Sequence, residues 1–204
     1  KARNTRRWVS FLFLFGLIAV GVGLYVGSTH PLNVLLITLD TTRADRLGCY
    51  GYSHAKTPVL DRLAEQGVLF ERAYAPVPLT LPSHASMLTG LYPPEHGLRS
   101  NGQATLPQGI PTLATELQAA GYETGAFIAA FVLDGKFGLQ RGFETYDDDL
   151  SLAVPLHGDH QYRDASLVIN AAISWLSPRS RKPFFCWVHL FDPHFPYLTH
   201  EDQF

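Results

Sequence analysis

Apolar runs without interruption and apolar positions at helical spacing alternate along this chain. Asn33–Leu39 is almost continuously hydrophobic and ends at Asp40, a pattern that marks a strand covered on both faces of a parallel sheet. Val68–Tyr74, Glu123–Ala130 and Phe184–Leu190 read as further strands, with a shorter apolar piece at Phe143–Tyr146. Helices are expected between them. One starts at Thr57-Pro58 and ends at Gly67, with Leu60, Leu63 and Ala64 as its apolar face. A second spans Pro82–Thr89, after a loop over Ala75–Leu81, and closes at Gly90. A third runs over Pro111–Ala120 up to Gly121, and the longest amphipathic segment is Tyr162–Leu176. Strands alternating with helices predict an α/β fold: a doubly wound, mostly parallel sheet with helices on both faces.

The front of the chain departs from this rhythm. Trp8 to Gly27 is 20 residues long with Ser10 its only clearly polar side chain, enough for a helix to cross a ~30 Å hydrocarbon core. Lys1, Arg3, Arg6 and Arg7 precede it, and Trp8 and Tyr25 sit at interfacial positions. The positive-inside rule places the N-terminus in the cytoplasm and the remainder in the periplasm or outside the cell. A cleaved signal peptide competes with an uncleaved anchor, and the length of the run favours the anchor. Residues 1–30 are thus read as a basic stub and transmembrane signal anchor, set apart from residues 31–204. A start at Lys rather than Met suggests a fragment.

Composition narrows the partners. With 204 residues, 46% of them hydrophobic, and a net charge of −2, the chain can build a core and shows no basic footprint for nucleic acid. Cys49 and Cys186 are too few for a disulfide framework and match no zinc spacing. The acidic run Asp147–Asp149 reads as a solvated turn rather than a metal site. Candidate chemistry lies elsewhere. Asp40 ends a strand where open α/β sheets bind ligands, which suits a metal ligand or a cap for the next turn. Thr80 stands just ahead of a helix N-terminus, where free N–H groups favour an anion; its hydroxyl is either a nucleophile or a cap.

Four stretches coincide in order: Asp40 ending the first strand, Thr57-Pro58-Val59-Leu60-Asp61-Arg62-Leu63-Ala64, the Thr80 loop with Leu88-Thr89-Gly90, and Pro193-His194-Phe195-Pro196-Tyr197. Together they resemble the N-terminal half of the sulfatase family, within the alkaline phosphatase superfamily, from about Asn33 onward. The resemblance implies that the signature Cys/Ser-x-Pro-Ser-Arg falls on Thr80-Leu81-Pro82-Ser83-His84. Asp40 then matches the first of two adjacent metal-binding aspartates, with Thr41 at the second. His194 matches a histidine that contacts the anionic group or assists the leaving oxygen. Asn101, 21 residues beyond Thr80, resembles an asparagine that holds a phosphoryl oxygen. Lys136, in Gly135-Lys136-Phe137-Gly138, partly resembles a Gly-Lys-Trp-His pattern.

The departures shape the expected chemistry. Sulfatases oxidise Cys or Ser to formylglycine, and Thr80 cannot yield that aldehyde because its Cβ carries a methyl group. It can act only as an alkoxide, forming an ester that a second nucleophile breaks. His84 in place of arginine removes a fixed positive charge, and Thr41 removes a negative one. The resemblance thus implies a membrane-anchored, metal-dependent hydrolase or transferase acting on phosphate or sulfate esters. Thr80, His194 and His84 are its catalytic residues, Asn101 and Lys136 bind the ester, and Asp40 and Thr80 share the metal. Phosphoryl transfer is favoured over sulfate-ester hydrolysis, and a non-catalytic binding domain is the other alternative. Oxygen ligands point to calcium, magnesium or manganese, with zinc if later histidines join in. The family's other metal ligands would lie beyond Phe204, since Asp159-His160 is misplaced for that role, so residues 1–204 alone are expected to be inactive.

Overall fold

The structure, a computed structural model, describes residues 31–151, 154–155, 161–177, 182–195 and 197. The Trp8–Gly27 span and Asp159-His160 lie outside these residues, and no helix among the described residues is long and apolar enough to cross a membrane. The contacts separate Lys1–Leu32 from Asn33–Phe204, and the sheet with its helices belongs to the second of these units.

The strands are β1 (Val34–Leu39), β2 (Glu123–Ile128), β3 (Thr145–Asp147), β4 (Val154–Pro155), β5 (Gln161–Tyr162) and β6 (Phe184–Leu190). Between them lie helices α1 (Pro58–Gln66), α2 (Thr80–Thr89), α3 (Pro93–His96), α4 (Leu113–Ala119) and α5 (Ala165–Leu176). The main sheet has the order β1-β6-β2-β3 and every pairing in it is parallel. β6 is central, and Phe185, Cys186, Trp187, Val188 and His189 are all buried, as a strand flanked on both edges and both faces requires. On one face Val168 and Ala172 of α5 pack with Phe127, Cys186 and Val188. On the other, Leu81, Ala85 and Leu88 of α2 pack with Ala114 of α4 and with Ile128, Phe185 and Trp187. Burying a Phe or Trp of this kind contributes roughly 2–3 kcal/mol. Helices therefore cover both faces, as the alternating pattern predicts.

Gly125 shows how closely α5 docks. A Cβ built there would sit 2.7 Å from the Trp175 ring, so the glycine in β2 makes room for an indole. Thr38, the polar residue within β1, accepts a hydrogen bond from Trp187 Nε1 at 3.1 Å.

Several expectations are corrected. β1 is not covered on both faces: Leu35 and Ile37 are 50% and 52% exposed, because α5 lies over β2 and β6 and nothing described reaches across β1. Val68–Tyr74 is not a strand, and Val68, Phe70 and Tyr74 are exposed; it meets no strand edge among the described residues, and a strand needs a ladder partner. Leu63, expected on the apolar face of α1, is 59% exposed. α5 begins at Ala165 rather than Tyr162 because Asp164 caps it, accepting from Ser166 N at 2.8 Å. The acidic run is solvated only in part: Asp149 is exposed, but Asp147 and Asp148 are half-buried and engaged. Asp147 forms a bidentate pair with Arg163 at 2.8 and 3.1 Å, and Asp148 accepts from Gly135 N at 2.7 Å. Cys49 and Cys186 are not joined in a disulfide, which accords with their being too few for a disulfide framework.

Candidate active site

Helix α2 delivers Thr80 to the C-terminal edge of the sheet. The helix begins at Thr80, two residues before the expected Pro82, so Thr80 is its first residue and not part of the preceding loop. Pro82 is tolerated in this first turn because the N–H groups there have no intrahelical partners. The N-cap position is Leu79, which carries no side-chain acceptor. Asn101 supplies one from a distant loop: its Oδ1 accepts from Leu81 N at 2.9 Å. Gly90 ends the helix at φ 71°, the left-handed conformation that glycine accommodates.

Asp40 is the residue immediately after β1, held by its N–H donating to Leu190 O at 2.9 Å. Its carboxylate meets the hydroxyl of Thr80, with Thr80 Oγ1 donating to Asp40 Oδ2 at 3.0 Å. His189 Nε2 lies 3.4 Å from the same oxygen. Asp40 is buried. Burial by itself raises its pKa, but the His189 contact and charge and the Thr80 hydrogen bond together outweigh it and hold the carboxyl below its ordinary range. Oδ1 receives no hydrogen bond among the described residues.

His84, four residues on from Thr80 in α2, turns its ring back under the site. Its Nδ1 lies 2.8 Å from Thr80 O. A carbonyl oxygen only accepts, so Nδ1 carries the proton. Burial pushes the imidazole down to about 4, with neighbouring His189 adding to the shift against the opposing pull of Thr80 O and Asp40. His84 is therefore neutral near pH 7, and its Nε2 is a buried lone pair without a hydrogen-bond partner. It does not replace the charge of the arginine it stands for.

Thr41 follows Asp40 with φ 52°, a left-handed conformation that is strained for a β-branched residue. Its hydroxyl donates to Pro193 O at 3.2 Å, so it faces the loop after β6 and ties the Asp40 turn to the segment bearing His194. The His194 ring stacks on Phe191 at 4.3 Å, and its Nδ1 lies 2.6 Å from Phe195 O. His194 thus sits at the same sheet edge, but makes no hydrogen bond to Thr80 or Asp40 among the described residues. Lys136 is engaged elsewhere: its ammonium pairs with Asp134 at 3.2 Å and lies 3.7 Å from the centre of the Phe131 ring.

The structure therefore brings Asp40, Thr80 and His84 together, puts Asn101 against the first turn of α2, and leaves His194 and Lys136 without direct contact to that group. Sequence reading missed His189. The available signal was a lone histidine in the apolar run Phe184–Leu190, one position from its end. Among the described residues no group of three or more His, Cys, Asp or Glu side chains could hold a metal ion. The Asp40 carboxylate and the Thr80 hydroxyl are nevertheless oxygen donors of the kind a hard divalent cation takes, and would supply part of its shell.

Comparison with known proteins accords with this geometry. The sulfatase family profile matches residues 32–204. Bovine (Bos taurus) arylsulfatase A is 37% identical over 150 residues, covering 71% of this chain and 27% of the relative. The Delta 4,5-hexuronate-2-O-sulfatase of Bacteroides thetaiotaomicron is 28% identical over 166 residues, covering 79% of this chain and 34% of the relative. The chain thus spans about a third or less of these curated relatives' length. Among solved structures, BT4656, in complex with its substrate D-glucosamine-2-N,6-O-disulfate, superposes with a TM-score of 0.68 at 25% identity, covering 82% of this chain and 35% of that one. The phosphonate monoester hydrolase of Agrobacterium radiobacter shares the fold, with a TM-score of 0.65 at 24% identity over 81% of this chain and 42% of that one. Asp40 immediately after β1, a hydroxyl heading α2 and a matching profile over most of the chain lead to one assignment: this chain belongs to the sulfatase family.

Proposed function

We propose that the protein is a metal-dependent ester hydrolase or transferase in which the unmodified Thr80 hydroxyl is the nucleophile, with phosphoryl transfer favoured over sulfate-ester cleavage. The observation that carries this reading is the 3.0 Å hydrogen bond from Thr80 Oγ1 to Asp40 Oδ2, at the N-terminus of one helix and the C-terminal edge of one strand. Asp40 and Thr80 would hold a divalent cation, which lowers the pKa of the hydroxyl and neutralises charge on the ester oxygens. Asp40 Oδ2 is the nearest acceptor for the hydroxyl proton as Thr80 Oγ1 bonds to phosphorus and the leaving oxygen departs. Asn101, whose Oδ1 is committed to Leu81 N, turns its amide N–H groups to the anion. His194 assists the leaving oxygen and the neutral His84 shapes the floor, while Lys136, its charge paired with Asp134, has no part in the site. A covalent Thr80 ester results, and water or another alcohol breaks it.

Sulfate-ester hydrolysis is the second reading, favoured by the names of the relatives, which are sulfatases. Thr80 weighs against it, since its branched Cβ cannot become an aldehyde. Residues 1–30 are proposed to anchor the protein, with the catalytic domain on the extracytoplasmic side.

The test is the full-length protein against phosphodiester, phosphonate and sulfate-ester substrates with magnesium, calcium or manganese. Phosphorus esters should turn over faster, and Thr80→Ala should lose at least about 10³-fold in kcat. A clear preference for sulfate esters overturns the chemical ranking. A wild type that cleaves none of them makes the protein a binding domain.

A further inference from the structure

We propose that His189 is a positioning residue, holding the Asp40 carboxylate so that Oδ2 faces the nucleophile and Oδ1 would be left free for a cation. The inference rests on the reading of Asp40 and Thr80 as the metal-sharing pair. His189 lies on the central strand, with no exposed surface, and its Nε2 is 3.4 Å from Asp40 Oδ2. A carboxylate oxygen only accepts, so Nε2 carries the hydrogen in this contact. The distance is long for a charge-assisted bond, and such contacts tighten when a site is loaded.

The ring has little freedom. His84 meets it edge-on at 5.0 Å, Trp187 lies at 6.4 Å and Phe191 at 6.3 Å. Backbone pairing aligns Thr38 with His189 on adjacent parallel strands, so the donor is set by the rigid part of the sheet and not by a loop. That matters because the other donor to Oδ2 is Thr80 itself. When the Thr80 hydroxyl passes its proton to Oδ2, Thr80 ceases to be a donor, and His189 is the donor that continues to orient the Asp40 side chain. Metal-ligating carboxylates depend on such outer partners, whose loss typically lowers metal affinity 10- to 100-fold.

The test uses the full-length protein and titrates magnesium, calcium and manganese by calorimetry into wild type, His189→Gln, His189→Asn and His189→Leu. Glutamine offers an N–H close to where imidazole Nε2 sits, asparagine offers one nearer Nδ1, and leucine offers none. His189→Gln should bind within about threefold of wild type, whereas His189→Asn and His189→Leu should weaken by about 10- to 100-fold. Metal-free melting temperatures of the Gln and Asn variants should match each other. Should the leucine variant fail to fold, the contrast between Gln and Asn still decides. Asn binding as tightly as wild type, or Gln and Asn weakened alike, overturns the proposal and makes His189 a packing residue. A different failure has a different signature: if wild type binds none of the cations, or Asp40→Asn binds them as tightly, the metal-sharing pair itself falls and this inference with it.

Discussion

His84 offers the sharpest quantitative check, because burial sets its protonation state and one carbonyl its tautomer. Burial holds its pKa near about 4, against an ordinary 6.5. Between these values the unfolded chain carries a proton on His84 that the native protein refuses, so native stability falls as pH drops through this window. The difference of roughly 2.5 pH units, at 1.36 kcal/mol each, is worth about 3 kcal/mol, fully present above pH 7 and gone by about pH 4. His84→Asn keeps an N–H for Thr80 O and removes the titration. It carries a constant cost from lost volume, and that cost does not vary with pH. Urea unfolding of the full-length wild type and His84→Asn at intervals from pH 7 to 4 should give free-energy curves that diverge at neutral pH and converge by about 3 kcal/mol in acid. Histidine NMR should show the His84 Cε1 resonance unmoved at pH 5.5. Parallel curves, or a resonance titrating near 6.5, would refute the argument and restore His84 as a cation that could contact an anionic ester.

Gly125→Ala should destabilise by about 1–3 kcal/mol through overpacking against Trp175, and Gly125→Ala with Trp175→Leu should recover part of the loss in thermal melts. Asn101→Ala removes the acceptor for Leu81 N and should cost about 1 kcal/mol in urea unfolding; it should also weaken substrate binding, seen as a raised KM, whereas Asn101→Asp should preserve stability and still raise KM by placing a negative charge beside the anion. Arg163→Leu strands Asp147 at the edge of the sheet and should cost about 1–3 kcal/mol, and a double-mutant cycle with Asp147→Asn should show a favourable coupling. A coupling near zero would mark the pair as fully solvated.

How far the chain was legible varies from residue to residue. The run Phe184–Leu190 is legible to its final bounds because a central strand buries both faces, so that only His189 interrupts its apolar residues. Val68–Tyr74, apolar apart from Glu71 and Arg72, also reads as a strand and forms none among the described residues. A strand's hydrogen bonds are made with another segment, and nothing in the local sequence reports whether that segment is there. The start of α2 was misplaced by two residues for a related reason: Pro82 is a recognisable first-turn residue, but the acceptor that completes the turn is Asn101, in a loop far along the chain. The acidic run likewise looked solvated because Arg163, its partner, is distant in sequence.

Local pattern was sufficient for the alternation of strands and helices, for the Asp40 and Thr80 positions, and for the family resemblance, since each depends on residues close together along the chain. Only folding brought Asp40 and Thr80 within hydrogen-bond distance, set the neutral tautomer of His84, and slid His189 beneath the carboxylate. Protonation and orientation depend on which groups are excluded from water together, and on distances between segments that are separated in the chain and meet only when the sheet is assembled.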